Sequence, residues 1–224
     1  MRSLVSRIVS SRASQSVGRG AGAGLISISD NIKEFQKKLT DFEKKQLPFA
    51  IMIGTNKTAF GLRKEMGKQT VKKLDRPTPA TQKGFIVKKA NKKTLTAEVA
   101  IKDFVADYLK FQIDGGTRFT GKKIPVPYTP NARLNKFGNI PNKRKGLIKR
   151  PTKQFIANIG GVSGVYEKSG RGGKQLKLII AFEDSVTYDK KPFPFYKIGE
   201  GYISGTYNRN LSEGFKRAIK TARK

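Results

Sequence analysis

The chain has no cysteine and no histidine. The first absence removes thiolate nucleophiles, disulfides and thiolate metal sites; the second removes imidazole bases and imidazole ligands. Most enzyme templates fail on these grounds, and neither a catalytic residue, a metal nor a cofactor is expected. Acidic residues are scarce: 16 Asp and Glu face 47 Lys and Arg, a net charge of +31. No apolar run approaches the ~20 residues that span a bilayer, so an integral membrane protein is not expected. What is present is enough for a core. The chain has 224 residues, 37% of them hydrophobic, with 14 Phe and 7 Tyr. This composition predicts a folded body with loose basic arms rather than wholesale disorder. An excess of positive charge repels itself in a compact state and favours a polyanionic partner, either nucleic acid or an acidic protein surface.

Residues 1–29 carry Arg2, Arg7, Arg12 and Arg19 among many serines. That composition imitates a mitochondrial transit peptide. The glycine joint from Gly18 to Gly24 argues instead for a flexible basic arm that contacts a neighbour or nucleic acid. The remainder, 30–224, reads as a single α+β body. Ile32, Phe35, Leu39 and Phe42 give a first helix over 31–45, capped by Asp30. Pro48 opens a second, over 48–73, with Ile51, Thr55, Ala59, Leu62 and Met66 down one face. The period changes after Pro77. Phe85 and Val87 alternate, a polar turn follows at 91–93, and Leu95, Ala97, Val99 and Ile101 alternate again, which predicts a β-hairpin. Residues 103–114 read as a short helix with Phe104, Tyr108 and Phe111 as its apolar stripe. Further on, 155–168 and 175–182 read as strands joined by a tip at 170–174. A helix over 207–222 closes the chain, with Leu211, Phe215, Ala218 and Ile219 inward. The expected architecture is long N-terminal helices packed on an antiparallel sheet, a long basic excursion, and a C-terminal helix.

Every charged residue from Gly115 to Tyr166 is Lys or Arg. Prolines recur through the segment at 125, 127, 130, 141 and 151, so about 115–154 reads as an excursion outside the core. A solvated loop with only a structural role ordinarily mixes both signs, since like charges repel. The predicted site for nucleic acid or an acidic partner is therefore Lys122, Lys123, Arg133, Lys143, Arg144, Lys145, Lys149, Arg150 and Lys153, acting as one electropositive surface. Within it, Gly116 to Lys122 reads G-x-x-x-x-G-K, close to a phosphate-cradling P-loop. The hydroxyl that such a loop sets on magnesium is replaced by Lys123, and the prolines behind it forbid the helix whose amides would hold the phosphates. A glycine-rich basic turn is the better reading. Glu183, Asp184 and Asp189 beside Lys190 and Lys191 offer the one cluster for a metal-dependent nuclease, though hard cations need several converging oxygens. A ribosomal or organellar RNA-binding protein is the alternative that the charge supports, although no aromatic ribonucleoprotein signature is visible.

Several segments taken in order resemble a bacteriophage virion family: "LPFAIMIGTNKTAFGLRKEM", "DRPTPATQKGFIVKKANKKTLTAEVAIKD", "YLKFQIDGGTR", "FGNIP", "GVYEKSGRGGK" and the closing basic helix. The series, about residues 30–222, is similar to phage minor tail and tail-completion (neck) proteins, including the minor tail protein Z family of lambdoid phages. The resemblance implies a non-enzymatic part of the tail or neck, active in tail completion or head–tail joining. It further implies a homo-oligomeric ring around the DNA channel, in contact with portal, neck or tail subunits and with genomic DNA through phosphates. Assembly in the host cytoplasm into the virion follows from the same resemblance.

Overall fold

The structure, a computed structural model, describes residues 25–28, 41–141 and 146–222. The chain is α+β and divides into two units. One comprises Met1–Leu74, Pro79–Ile113 and Pro192–Lys224; the other comprises Asp75–Thr78 and Asp114–Lys191.

The first unit is organised by two long helices. Helix α1, Asp41–Lys73, buries Ile51, Thr55, Ala59, Leu62 and Met66, the stripe that the sequence spacing predicts. Residues 31–40 of the expected first helix lie outside the described residues, and its last turns belong to α1. The expected break before Pro48 is absent. Proline in a helix interior forfeits a hydrogen bond, here to the carbonyl of Lys44, at a cost of about 3 kcal/mol. Leu47, Ala50 and Ile51 on both sides of it are buried, and that packing offsets the loss.

The C-terminal helix α4, Phe195–Ala222, begins twelve residues before the expected start and packs antiparallel against α1. Small residues allow the close approach. A Cβ on Gly214 would stand 2.2 Å from the carbonyl oxygen of Ala50, and one on Gly54 would stand 2.7 Å from the Cα of Leu211. Buried polar groups in the seam are satisfied. Asn210 donates to Thr58 Oγ1 at 2.9 Å, and that hydroxyl donates to the Gly54 carbonyl, also at 2.9 Å. At the surface Lys57 pairs with Glu213 and holds its carboxyl below the ordinary range. A lowered carboxyl contributes above its unfolded value of about 4.3 and loses that contribution as pH falls through the folded one. The pair is exposed, so its effect is small.

The expected hairpin is present as β2, Phe85–Lys88, and β3, Ala97–Ile101. Strand β1, Leu25–Ile28, pairs antiparallel on the other side of β3, giving the order β1-β3-β2. It lies within the stretch read as an arm, 1–29, whose other residues, 1–24 and 29, are outside the described residues. Between β2 and β3 the side chain of Asn91 accepts hydrogen bonds from the amides of Lys93 and Thr94, which forms the predicted polar turn. Leu95, expected on a strand, sits in the loop at φ 52°.

Asn56 of α1 clamps that loop: its amide donates to the Ala90 carbonyl at 3.0 Å and accepts from the Ala90 N–H at 2.8 Å. Asn56→Ala should therefore strand both backbone groups and lower stability by roughly 2–3 kcal/mol in chemical denaturation. A change below about 0.5 kcal/mol would show that water replaces the clamp.

A single turn, α2 (Pro79–Gln82), precedes β2, and α3 (Asp103–Ile113) follows β3. The fully buried stripe of α3 is Val105, Leu109 and Ile113; of the expected aromatics Phe104 is 58% exposed, whereas Tyr108 is partly buried against the core and shares a hydrogen bond with the Thr81 hydroxyl. The 3.6-residue period fits both rows, and the β-branched and leucine row is the one that the core encloses. Phe193 and Phe195, both fully buried, close that core against Phe85, with ring centroids 6.2 Å from it. Among the described residues no helix is long and apolar enough to cross a membrane.

Candidate anion-binding surface

The second unit is a four-stranded antiparallel sheet in the order β4-β7-β6-β5. Its strands are β4 (Gly116–Pro127), β5 (Gln154–Ile159), β6 (Val162–Ser169) and β7 (Gln175–Tyr188). Part of the expected excursion is therefore a strand. The segment read as a glycine-rich basic turn is β4, with a register shift between Phe119 and Ile124 that puts Gly121, Lys122 and Lys123 in a bulge. A strand containing two prolines survives because it is an edge. The Tyr128 N–H bonds the Ile179 carbonyl, so even-numbered amides face β7, and the nitrogens of Pro125 and Pro127 point outward where no ladder bond is lost. No helix follows the glycines, so the geometry that a P-loop requires is lacking.

The expected strand 155–168 is two strands, β5 and β6, joined at Gly160 and Gly161, with φ of 58° and 83°. Two consecutive positive φ values make the tight turn whose twist suits a hairpin, and glycine takes them without strain. The tip at 170–174 joins β6 to β7 as predicted, through a short 3₁₀ turn at Arg171–Gly173.

The loop from Tyr128 to Lys153 is tied to the sheet by side-chain amides. Asn131 donates to the Leu178 carbonyl at 2.9 Å. Gln154, 9% exposed, accepts hydrogen bonds from the amides of Lys149 and Arg150 at 2.7 and 3.0 Å. Its own amide donates to Glu167 at 2.6 Å, and Arg150 donates to the other Glu167 oxygen at 3.1 Å. Beneath this loop lies a cavity of about 430 Å³, lined by Arg133, Lys149, Arg150, Lys177, Glu167 and Gln154 together with Ile140, Leu147 and Ile179.

The predicted site residues divide into groups. Arg133, Lys149 and Arg150 gather at the cavity, and Lys153 stands one turn away at the start of β5. Arg150 is half-buried and held by Glu167, which makes it a tether of the loop more than a free cation. Lys149 turns its ammonium to the Gly146 carbonyl. Lys122 and Lys123 lie elsewhere: Lys123 pairs with Asp184 at 2.7 Å. Asp184 is four residues along β7 from Ile180 at the cavity, roughly 13 Å at ~3.3 Å per residue. Lys143, Arg144 and Lys145, like Arg2, Arg7, Arg12 and Arg19, lie outside the described residues.

Lys177 joins the cavity without having been singled out in the sequence. It stands opposite Glu167, which stands opposite Gln154, in one row across β7, β6 and β5. Arg133, Lys153 and Lys177 are exposed and have no carboxylate partner among the described residues. The surface is thus a basic rim over a partly apolar concavity with one carboxylate, Glu167, already engaged. It can hold anionic oxygens by charge.

The carboxylates weighed for a nuclease do not converge. Glu183 and Asp184 are adjacent in β7 and point to opposite faces of the sheet, and Asp189 lies beyond its end. Among the described residues no group of three or more His, Cys, Asp or Glu is placed to hold a metal. No family model, curated protein or solved structure matches this chain.

Proposed function

We propose that the chain is a structural protein of a bacteriophage tail or neck, acting in tail completion or head–tail joining as an oligomer around the DNA channel. The ordered sequence resemblance is what suggests the virion setting. The observation that carries the polyanion part of the reading is the gathering of Arg133, Lys149, Lys153 and Lys177 on and beside one concavity whose single carboxylate is paired internally. A rim of Lys and Arg charges favours phosphates, and phosphate contacts carry no sequence information.

Competition between nucleic acids tests the reading. Purified protein should bind random-sequence duplex DNA with no more than about a threefold spread among sequences, since phosphate contacts carry no sequence information. A strong preference for structured RNA over duplex DNA at equal salt would instead favour the ribosomal or organellar alternative.

A further inference from the structure

The two edges of the second unit's sheet are treated oppositely by the sequence. Exposed edge strands offer unpaired N–H and C=O groups to other chains, and proteins usually blunt them with proline, lysine, bulges or short length. The β4 edge has all but the last: outward-facing Pro125 and Pro127, a bulge, and Lys122 and Lys123 within it. The β5 edge, Gln154–Ile159, has none of these devices. Its register with β6 is continuous, and it contains neither proline nor lysine.

The orientation of its backbone follows from one hydrogen bond and the register. The Lys168 N–H bonds the Lys153 carbonyl, so odd-numbered positions of β5 face β6. The N–H and C=O of Ile156 and Asn158 therefore point to an edge that pairs with no other strand among the described residues, where β4 has proline. Ile156 is 60% exposed, and Ile159 and Val162 beside the turn are 38% and 40% exposed. Residues Gln154 to Tyr166 are also the longest stretch of the chain without a charge.

We propose that the β5 edge pairs antiparallel with the β5 edge of a second copy of this chain, joining two four-stranded sheets across a twofold axis. Charge selects the occupant. At +31 per chain, most of the surface repels another copy, whereas this edge brings no like charges together. The antiparallel sense also keeps the flanking cations apart, because it sets Lys153 beside the partner's uncharged glycine turn. Outward-facing residues must oppose outward-facing residues, so the axis falls either on Ile156 or on Ala157. This pairing rests on the strand edges and not on the virion reading; being twofold it closes on two copies, and it is a different contact from one that would close a ring.

Sedimentation of the full chain over a wide concentration range, at low and high salt, tests it. A dimer should form and should strengthen with salt, because screening relieves the repulsion between copies, whereas phosphate binding weakens with salt. Ile156→Pro removes an outward donor without breaking a ladder bond to β6. It should leave the circular dichroism melt in place and weaken dimerisation by about tenfold or more. Because the chain has no cysteine, Ile156→Cys and Ala157→Cys provide an independent readout. One of the two should give a disulfide-linked dimer under mild oxidation, and which one does so identifies the axis. A wild-type chain that stays monomeric in high salt overturns the proposal. So does a dimer indifferent to Ile156→Pro, or the failure of both cysteine variants to cross-link.

Discussion

Gly214→Ala should destabilise the first unit by roughly 1–3 kcal/mol, the usual cost of overpacking a close contact. Helix propensity alone predicts the opposite sign, because alanine is favoured over glycine in a helix interior by ~1 kcal/mol. Contact decides the outcome. The new methyl would meet the Ala50 carbonyl oxygen at 2.2 Å, and a backbone atom of α1 cannot swing aside as a flexible side chain can. The helices must separate, which loosens Ile51, Thr58 and Leu211 in the same seam. Gly205 on the same helix is the control: nothing lies within 4 Å of its Cβ position. Gly205→Ala should therefore stabilise by about 0.5–1 kcal/mol. Denaturant midpoints of the two variants moving in the same direction would refute the packing described for α1 and α4.

Affinity for duplex DNA should fall steeply with salt. If about four phosphates are engaged, through Arg133, Lys149, Lys153 and Lys177, the loss between about 50 and 200 mM salt is roughly 10²-fold. Each further contact multiplies it by roughly 3.5. Lys123 and Arg150 add little, because Asp184 and Glu167 already neutralise them. Replacing Arg133, Lys149 and Lys177 together by alanine should make the slope of log affinity against log salt shallower by about 2.7. Lys122→Ala, outside the cavity, should change it by less than about 1. An unchanged slope in the triple variant would place the anion elsewhere on the chain.

The buried stripe of α1 was legible because five core residues recur at helical spacing, and packing against α4, β2 and β3 keeps that spacing intact. Pro48 misled because its local cost is real, and only tertiary burial of its neighbours overrides it. Between 115 and 127, glycine, lysine and proline all signal a turn. At a sheet edge the same residues are compatible with a strand, and edge position is not written in local sequence. The electropositive surface was legible as charge but not as geometry. The acids that neutralise Lys123 and Arg150 come from β7 and β6, outside the acid-free stretch, and only strand pairing brings them near. Lys177 was missed for the same reason, since its place at the cavity depends on the register between β6 and β7.

Quantitative mass spectrometry of purified, DNA-filled particles of the tailed phage proposed to encode this chain tests the virion role. The chain should be present in a fixed number of copies per particle and should remain with the tail or neck when heads and tails are separated. Absence from the particles, with the chain instead sedimenting with ribosomes in infected cells, would contradict it.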